Sequence, residues 1–339
     1  MNRVKNLSIA VILVLALSVL YTSPVLSQEK RYGGTLRIVI NSDPRPDLNP
    51  VLTADDVSNA IGNNIFNKLV ELDKDFNVQP DLADSWEISA DGLTYTFHLH
   101  PGVKWHDGKP FTSEDVKYTL ENAMKIGAAA SRLIDIKSME TPNVNTIVIG
   151  LKKPVAPFPV VLAWGCTHIL PKHLYEGTDW TKNPYNEKPV GTGPFKFVEW
   201  KRGDHITLEA NREYFKGSPY LTKVIFKIIP DIRTATAALL TGEVDALSMY
   251  SSPAYKDVPK LATTEGLYAL VWKYYTYWRL AFKLDHPIFS KYKVRAAIAH
   301  AIDRDKIVSV AYSGVPEAAA TASPLSSVVA WAYNPNCTN

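Results

Sequence analysis

Apolar and polar positions alternate most regularly at 93–100. Leu93, Tyr95, Phe97 and Leu99 fall on one side, and Thr94, Thr96, His98 and His100 on the other. A period of two marks a half-buried strand. Thr35–Ile40 alternates in the same way, with Leu36, Ile38 and Ile40 opposite Arg37. Further strands are expected at 145–151, 195–200, 205–209 and 224–229. The period changes to that of a helix over about 54–70, where Val57, Ile61, Ile65 and Leu69 share a face. Thr112-Ser113-Glu114-Asp115 has the form of a capping box before a helix running to about Ile126. Asp231 is placed to cap a helix carrying Ala235, Ala238, Leu239 and Leu240, which Gly242 stops. Tyr268–Leu284 reads as an extended, aromatic-dense run, and helices follow at 293–301 and 303–312. Proline and glycine punctuate the rest. Pro44, Pro46 and Pro50 exclude regular structure over 43–50, Asp107-Gly108 marks a hairpin-type turn, and Pro154, Pro157 and Pro159 interrupt the pattern. There is no internal repeat and no clean alternation of strand and helix, so the expected class is α/β assembled from discontinuous pieces.

The first 27 residues stand apart from this pattern. Arg3 and Lys5 precede an almost wholly apolar run from Leu7 to Leu20, and Val25-Leu26-Ser27 offers small residues before Gln28. This is the three-part layout of a secretory signal peptide. The run is short for a membrane span of about 20 residues. Export changes the charge balance little. The 339 residues carry 37 basic and 34 acidic side chains, and removing 1–27 takes two of the basic ones and leaves a net charge of +1. A balance so close to zero argues against a dedicated nucleic-acid binder. Only two cysteines occur, Cys166 and Cys337, so no disulfide framework is expected, and Cys166 in its apolar run reads as a small buried hydrophobe.

Chemistry is hard to find. The sequence has no G-x-S-x-G elbow, no H-E-x-x-H, no phosphate-binding P-loop and no Cys-x-x-Cys. Gly191-x-Gly193 lacks the third glycine of a dinucleotide fingerprint, and Pro194 stands where a helix would begin. His98, His100 and His106 form the best candidate metal cluster, yet His98 and His100 occupy the polar face of a strand, where solvated side chains belong. His168 and His173 are five apart, a spacing that suits no single helical face. No catalytic residue, no metal and no cofactor are assigned.

Several ordered blocks resemble a known family, the extracellular solute-binding proteins of ABC importers, family 5, of oligopeptide- and dipeptide-binding type. They are Gly33-Gly34-Thr35-Leu36, Ile65-Phe66-Asn67-Lys68-Leu69-Val70, and Pro80-Asp81-Leu82-Ala83-Asp84-Ser85-Trp86-Glu87. Asp91–Phe97 and Val103–Thr112, with Glu114-Asp115-Val116 behind them, form the most diagnostic stretch. Pro189–Phe195, Gly242-Glu243-Val244-Asp245, Val294-Arg295-Ala296-Ala297 and Ile302-Asp303-Arg304 complete the series. The resemblance implies a type II periplasmic-binding-protein-like fold, with two lobes, a hinge and an extra domain inserted in the first lobe. It places lobe I at 32–60 and 189–272, the insertion at 61–188 and the start of lobe II at 273–339, where relatives continue well beyond Asn339. The chain is therefore expected to be a fragment with an incomplete second lobe.

The same resemblance implies a receptor that binds without chemistry. Its ligand would be a peptide or other small solute, its partner an ABC permease, its state a monomer and its place the periplasm or the cell surface. Two stretches are placed to face the cleft. Thr53, Ala54, Asp55 and Asp56 belong to a loop along which relatives run peptide backbone as an added strand. Asp55 and Asp56 are also candidates for capping the following helix. Tyr274, Tyr275, Tyr277, Trp278 and Arg279 lie in an alternating aromatic strand, with Tyr274 and Trp278 on one face and Tyr275, Tyr277 and Arg279 on the other. Trp164 and Trp200 are expected in the core, and Arg295 and Arg304 in ion pairs. An oligosaccharide or a nickel chelate remains open as the ligand. So do a secreted hydrolase on a similar scaffold and a chemosensory or chaperone-like binding protein.

Overall fold

The structure, a computed structural model, describes residues 32–248, 258–270 and 280–311. The signal-peptide segment, Cys337 and the 271–279 aromatic run lie outside the described residues.

Among the described residues two larger sheets organise the chain, beside a two-stranded pairing of Val70–Leu72 with β3 (Val78–Pro80). Strand β1 (Thr35–Ile40) lies between β10 (Lys223–Ile228) and β11 (Ala246–Leu247), parallel to both. Strands β8 (Phe195–Lys201) and β9 (His205–Ala210) extend this sheet on the β10 side as antiparallel neighbours. The strand order is β11-β1-β10-β9-β8. Arg37 on β1 grips Asp245, just before β11, through two side-chain bonds of 2.8 and 2.9 Å. This explains the acidic end of the Gly242-Glu243-Val244-Asp245 block.

The second sheet is antiparallel, in the order β4-β5-β7-β6, and comprises Ala83–Ile88, Thr94–Leu99, Thr146–Leu151 and Ile136–Asn143. The alternation at 93–100 does what it predicts. Tyr95, Phe97 and Leu99 are buried, while Thr94, Thr96 and His98 are not. Helix α2 (Ser113–Ile126) covers the apolar face, and its capping box forms as the sequence indicates, with the Thr112 N–H donating to Asp115 at 2.9 Å. One continuous apolar core joins the two sheets, from Ile40 and Leu48 through Phe97 and Trp105 to Leu208 and Phe226.

Four expectations need correction. Helix α1 is Asp56–Ile65, shorter than the 54–70 read from periodicity. Phe66 turns to extended backbone, and the Lys68 N–H is drawn to Asp81 at 2.8 Å, so Leu69 is buried from a non-helical segment before strand β2 (Val70–Leu72). Pro157 and Pro159 do not break structure; they open the short helix α3 (Phe158–Ala163), where a missing N–H costs nothing. Trp164 and Trp200 are half-buried rather than core. Trp164 stacks beneath the Arg132 guanidinium at 5.6 Å, and Trp200 Nε1 donates to Asp43 at 2.8 Å. Arg295, expected in an ion pair, forms none among the described residues and donates to the carbonyls of Phe289 and Ser290. The helices Tyr292–Ala301 and Arg304–Ala311 bury no residue.

Candidate functional site

Because β1, β10 and β11 are parallel, their carboxyl ends at Ile40, Ile228 and Leu247 lie along one edge. The crevice outside that edge is where open α/β sheets bind ligands. The segment from Asn41 to Asp56 leaves β1 there and carries four of the residues singled out from sequence.

Those four divide by role. Thr53 Oγ1 donates to the Arg45 carbonyl at 2.8 Å and accepts from the Asp55 N–H at 3.0 Å. The Thr53 carbonyl accepts from Asn59 Nδ2 at 3.1 Å and from Cys166 Sγ at 3.1 Å. Asp55 is the N-cap of α1. Its carboxylate accepts from the Ser58 N–H at 2.9 Å and the Ser58 hydroxyl at 3.0 Å, and pairs with Arg45 at 3.2 Å. Its side chain keeps only 12% of its exposure, so the cap takes up its acceptor capacity. Ala54 and Asp56 are exposed. Asp56 sits in the first helical turn, where an anion offsets the positive end of the helix. The loop thus has two residues that shape it, Thr53 and Asp55, and two that it presents to solvent. Tyr274, Tyr275, Tyr277, Trp278 and Arg279 lie outside the described residues.

Asn59 and Cys166 are the parts that the pattern reading missed. Asn59 looks like an ordinary polar residue on a helix, yet it holds the carbonyls of both Thr53 and Asp55. Cys166 is buried as expected, at 4% exposure, but its backbone is left-handed (φ 73°) and its sulfur points at the loop.

The histidines do not converge. His98 and His100 face solvent beside Glu87 and Asp84, at 3.7 and 4.0 Å. His106 turns inward. Its Nδ1 accepts from the Gly191 N–H at 3.2 Å and its Nε2 donates to the Gly193 carbonyl at 2.9 Å, which fixes the neutral tautomer. Burial pushes this imidazole down to about 4. His168 and His173 also diverge, the first to Asn63 at 2.8 Å and the second to Asp107 at 2.7 Å. Among the described residues no three His, Cys, Asp or Glu side chains are grouped to hold a metal ion.

The family model described as bacterial extracellular solute-binding proteins, family 5 Middle, matches residues 77–337. The chain is 36% identical over 311 residues to the oligopeptide-binding protein AppA of Bacillus subtilis, covering 89% of this chain and 55% of that protein. Among solved structures it resembles AppA in complex with a nonapeptide, with a TM-score of 0.77, 31% identity, and coverage of 90% of this chain and 60% of that one. It also resembles the periplasmic binding protein DppA of Helicobacter pylori in complex with the peptide STSA, with a TM-score of 0.78, 30% identity, and coverage of 91% and 64%. The chain spans about half the length of the curated relatives it matches. The fold is that of the type II periplasmic binding proteins, mixed α/β throughout the described residues.

Proposed function

The chain belongs to the bacterial extracellular solute-binding proteins, family 5, and on that premise we propose that it is the capture receptor of an ABC importer with peptides as its ligand class. The family consists of receptors rather than enzymes. The observation that carries the reading is the match to two peptide-bound structures over about nine-tenths of the chain.

The loop Thr53–Asp56 is the ligand strand of this reading. It leaves the carboxyl edge of the parallel strands, its shape is locked by side chains rather than by a sheet, and Ala54 and Asp56 face outward. A peptide laid along it gains main-chain bonds that do not depend on ligand sequence. Tyr274, Tyr275, Tyr277, Trp278 and Arg279 are the further ligand contacts proposed, one face of their alternating run being assigned to the cleft. Residues 32–60 and 189–272 make the first lobe, 61–188 its insertion, and 273–339 the beginning of the second lobe. Closure of the lobes follows the ligand's preference for the closed state, and a membrane permease receives the ligand from a monomeric receptor outside the cytoplasmic membrane. Among the described residues no helix is long and apolar enough to cross a membrane.

A native mass spectrum of the protein isolated gently from its source tests the reading. A peptide adduct that exchanges with added synthetic peptides supports it. An adduct of a saccharide or a nickel chelate keeps the receptor class and overturns the peptide assignment. Turnover of added peptide overturns the class.

A further inference from the structure

We propose that Cys166 is a positioning residue whose thiol clamps the Thr53 carbonyl and thereby fixes the shape of the Thr53–Asp56 loop. The inference rests on the reading of that loop as the ligand strand.

The loop is held from two directions. Arg45, Ser58 and Asn59 hold it from within its own neighbourhood in the chain. Cys166 holds it from 113 positions away, on the segment that follows α3. That segment also lies against α1, where a Cβ at Gly165 would sit in ordinary contact, at 3.4 Å, with Asn59 Oδ1, on the residue that itself holds the Thr53 carbonyl. Cys166 itself holds a left-handed backbone, a conformation that L residues other than Asn and Asp seldom adopt. Strain of this kind persists where the surroundings over-determine it, and here the strained residue is the one touching the loop. Burial pushes the thiol upward from its usual range, so at neutral pH it keeps the proton that it donates.

A small apolar residue filling space would satisfy the burial but not the 3.1 Å contact, and two substitutions separate these roles. Cys166→Ala and Cys166→Ser carry the same backbone strain and similar bulk, but only serine retains a donor. The readouts are amide hydrogen exchange over 53–57 in the ligand-free protein and the affinity for an equimolar pool of synthetic tri- to nonapeptides. Cys166→Ala should speed exchange about threefold or more and weaken peptide binding by a similar factor, while Cys166→Ser stays near the parent. Identical behaviour of the two variants, whether both match the parent or both depart from it, overturns the clamp. Failure of the parent to bind any peptide overturns the ligand reading alone, because the exchange comparison decides the clamp without ligand.

Discussion

His106 and Gly193, 87 positions apart in the chain, meet where the imidazole Nε2 donates to the glycine carbonyl at 2.9 Å. Through this bond and its companion to Gly191, the turn after β5 is fastened to the segment that leads into β8. The Trp105-His106-Asp107-Gly108 and Gly191-Thr192-Gly193-Pro194 blocks are therefore two halves of one joint. Thr192 adds a 2.9 Å bond to Asn67 beyond the end of α1.

The joint makes stability depend on pH. His106 titrates at about 4 in the folded chain and near 6.5 when unfolded. Between those values the unfolded chain holds the extra proton, so stability is complete above about 6.5 and is lost as pH falls towards 4. The loss amounts to about 3 kcal/mol. His168, buried and also held well below its usual value, acts in the same direction. Denaturant melts across pH 4–7 should show a slope that His106→Gln reduces without abolishing. An unchanged slope in that variant would contradict the assignment.

Gly191 sets a steric limit. A Cβ there would collide with the Ile65 carbonyl oxygen. Gly191→Ala should cost about 3 kcal/mol or more, because backbone rather than a flexible side chain must move. Gly203 is a useful contrast, with φ at 73° and open space around it. Gly203→Ala should cost only about 1 kcal/mol. Urea midpoints of the two variants measure the difference.

The two adjacent acids of the loop should separate cleanly. Asp55→Ala removes the α1 cap and should destabilise the chain by about 1–2 kcal/mol. Asp56→Ala leaves the cap in place and should change stability by about 0.5 kcal/mol. If the loop is the ligand strand, any effect of Asp56→Ala appears in peptide affinity instead, which calorimetry on both variants reads out.

A buried ion pair offers a further check. Lys216 Nζ lies 2.7 Å from Asp81 Oδ1, and Asp81 is only 4% exposed. Burial opposes the charge on Lys216, but Asp81 and Glu71 outweigh it and hold the ammonium above its usual range. Lys216→Met strands the carboxylate and should cost about 3–5 kcal/mol. The double variant Asp81→Asn, Lys216→Met should recover most of that loss, since it removes both charges. Thermal melts of the two variants decide it.

The strands were legible because their faces differ in polarity, as at Tyr95, Phe97 and Leu99. The end of α1 was not. Leu69 keeps the helical spacing and is buried as the period requires, yet Asp81, twelve residues later, takes the Lys68 N–H that a longer helix would have used. Local pattern carries no record of a competitor that distant. The same limit applies to the candidate site. Asp55 announced itself as a cap by preceding an apolar period, whereas Cys166 reaches Thr53 across 113 residues and looked like filler. The prolines misled for a local reason, since Pro157 and Pro159 sit at the start of a short helix, where proline is tolerated, and not at the end of an element.

The place of β1 in its sheet has a consequence for the order of assembly. Its neighbours, β10 and β11, begin only at Lys223 and Ala246, while the antiparallel sheet from Ala83 to Leu151 uses partners close by in the chain. Closing the first ladder means bringing together ends separated by the whole intervening chain, a contact that arrives late. The strand that comes first in sequence is thus among the last to be paired. Until Lys223–Ile228 and Ala246–Leu247 are in place, Thr35–Ile40 is an apolar segment with its two edges open, the kind of segment that self-associates when assembly stalls.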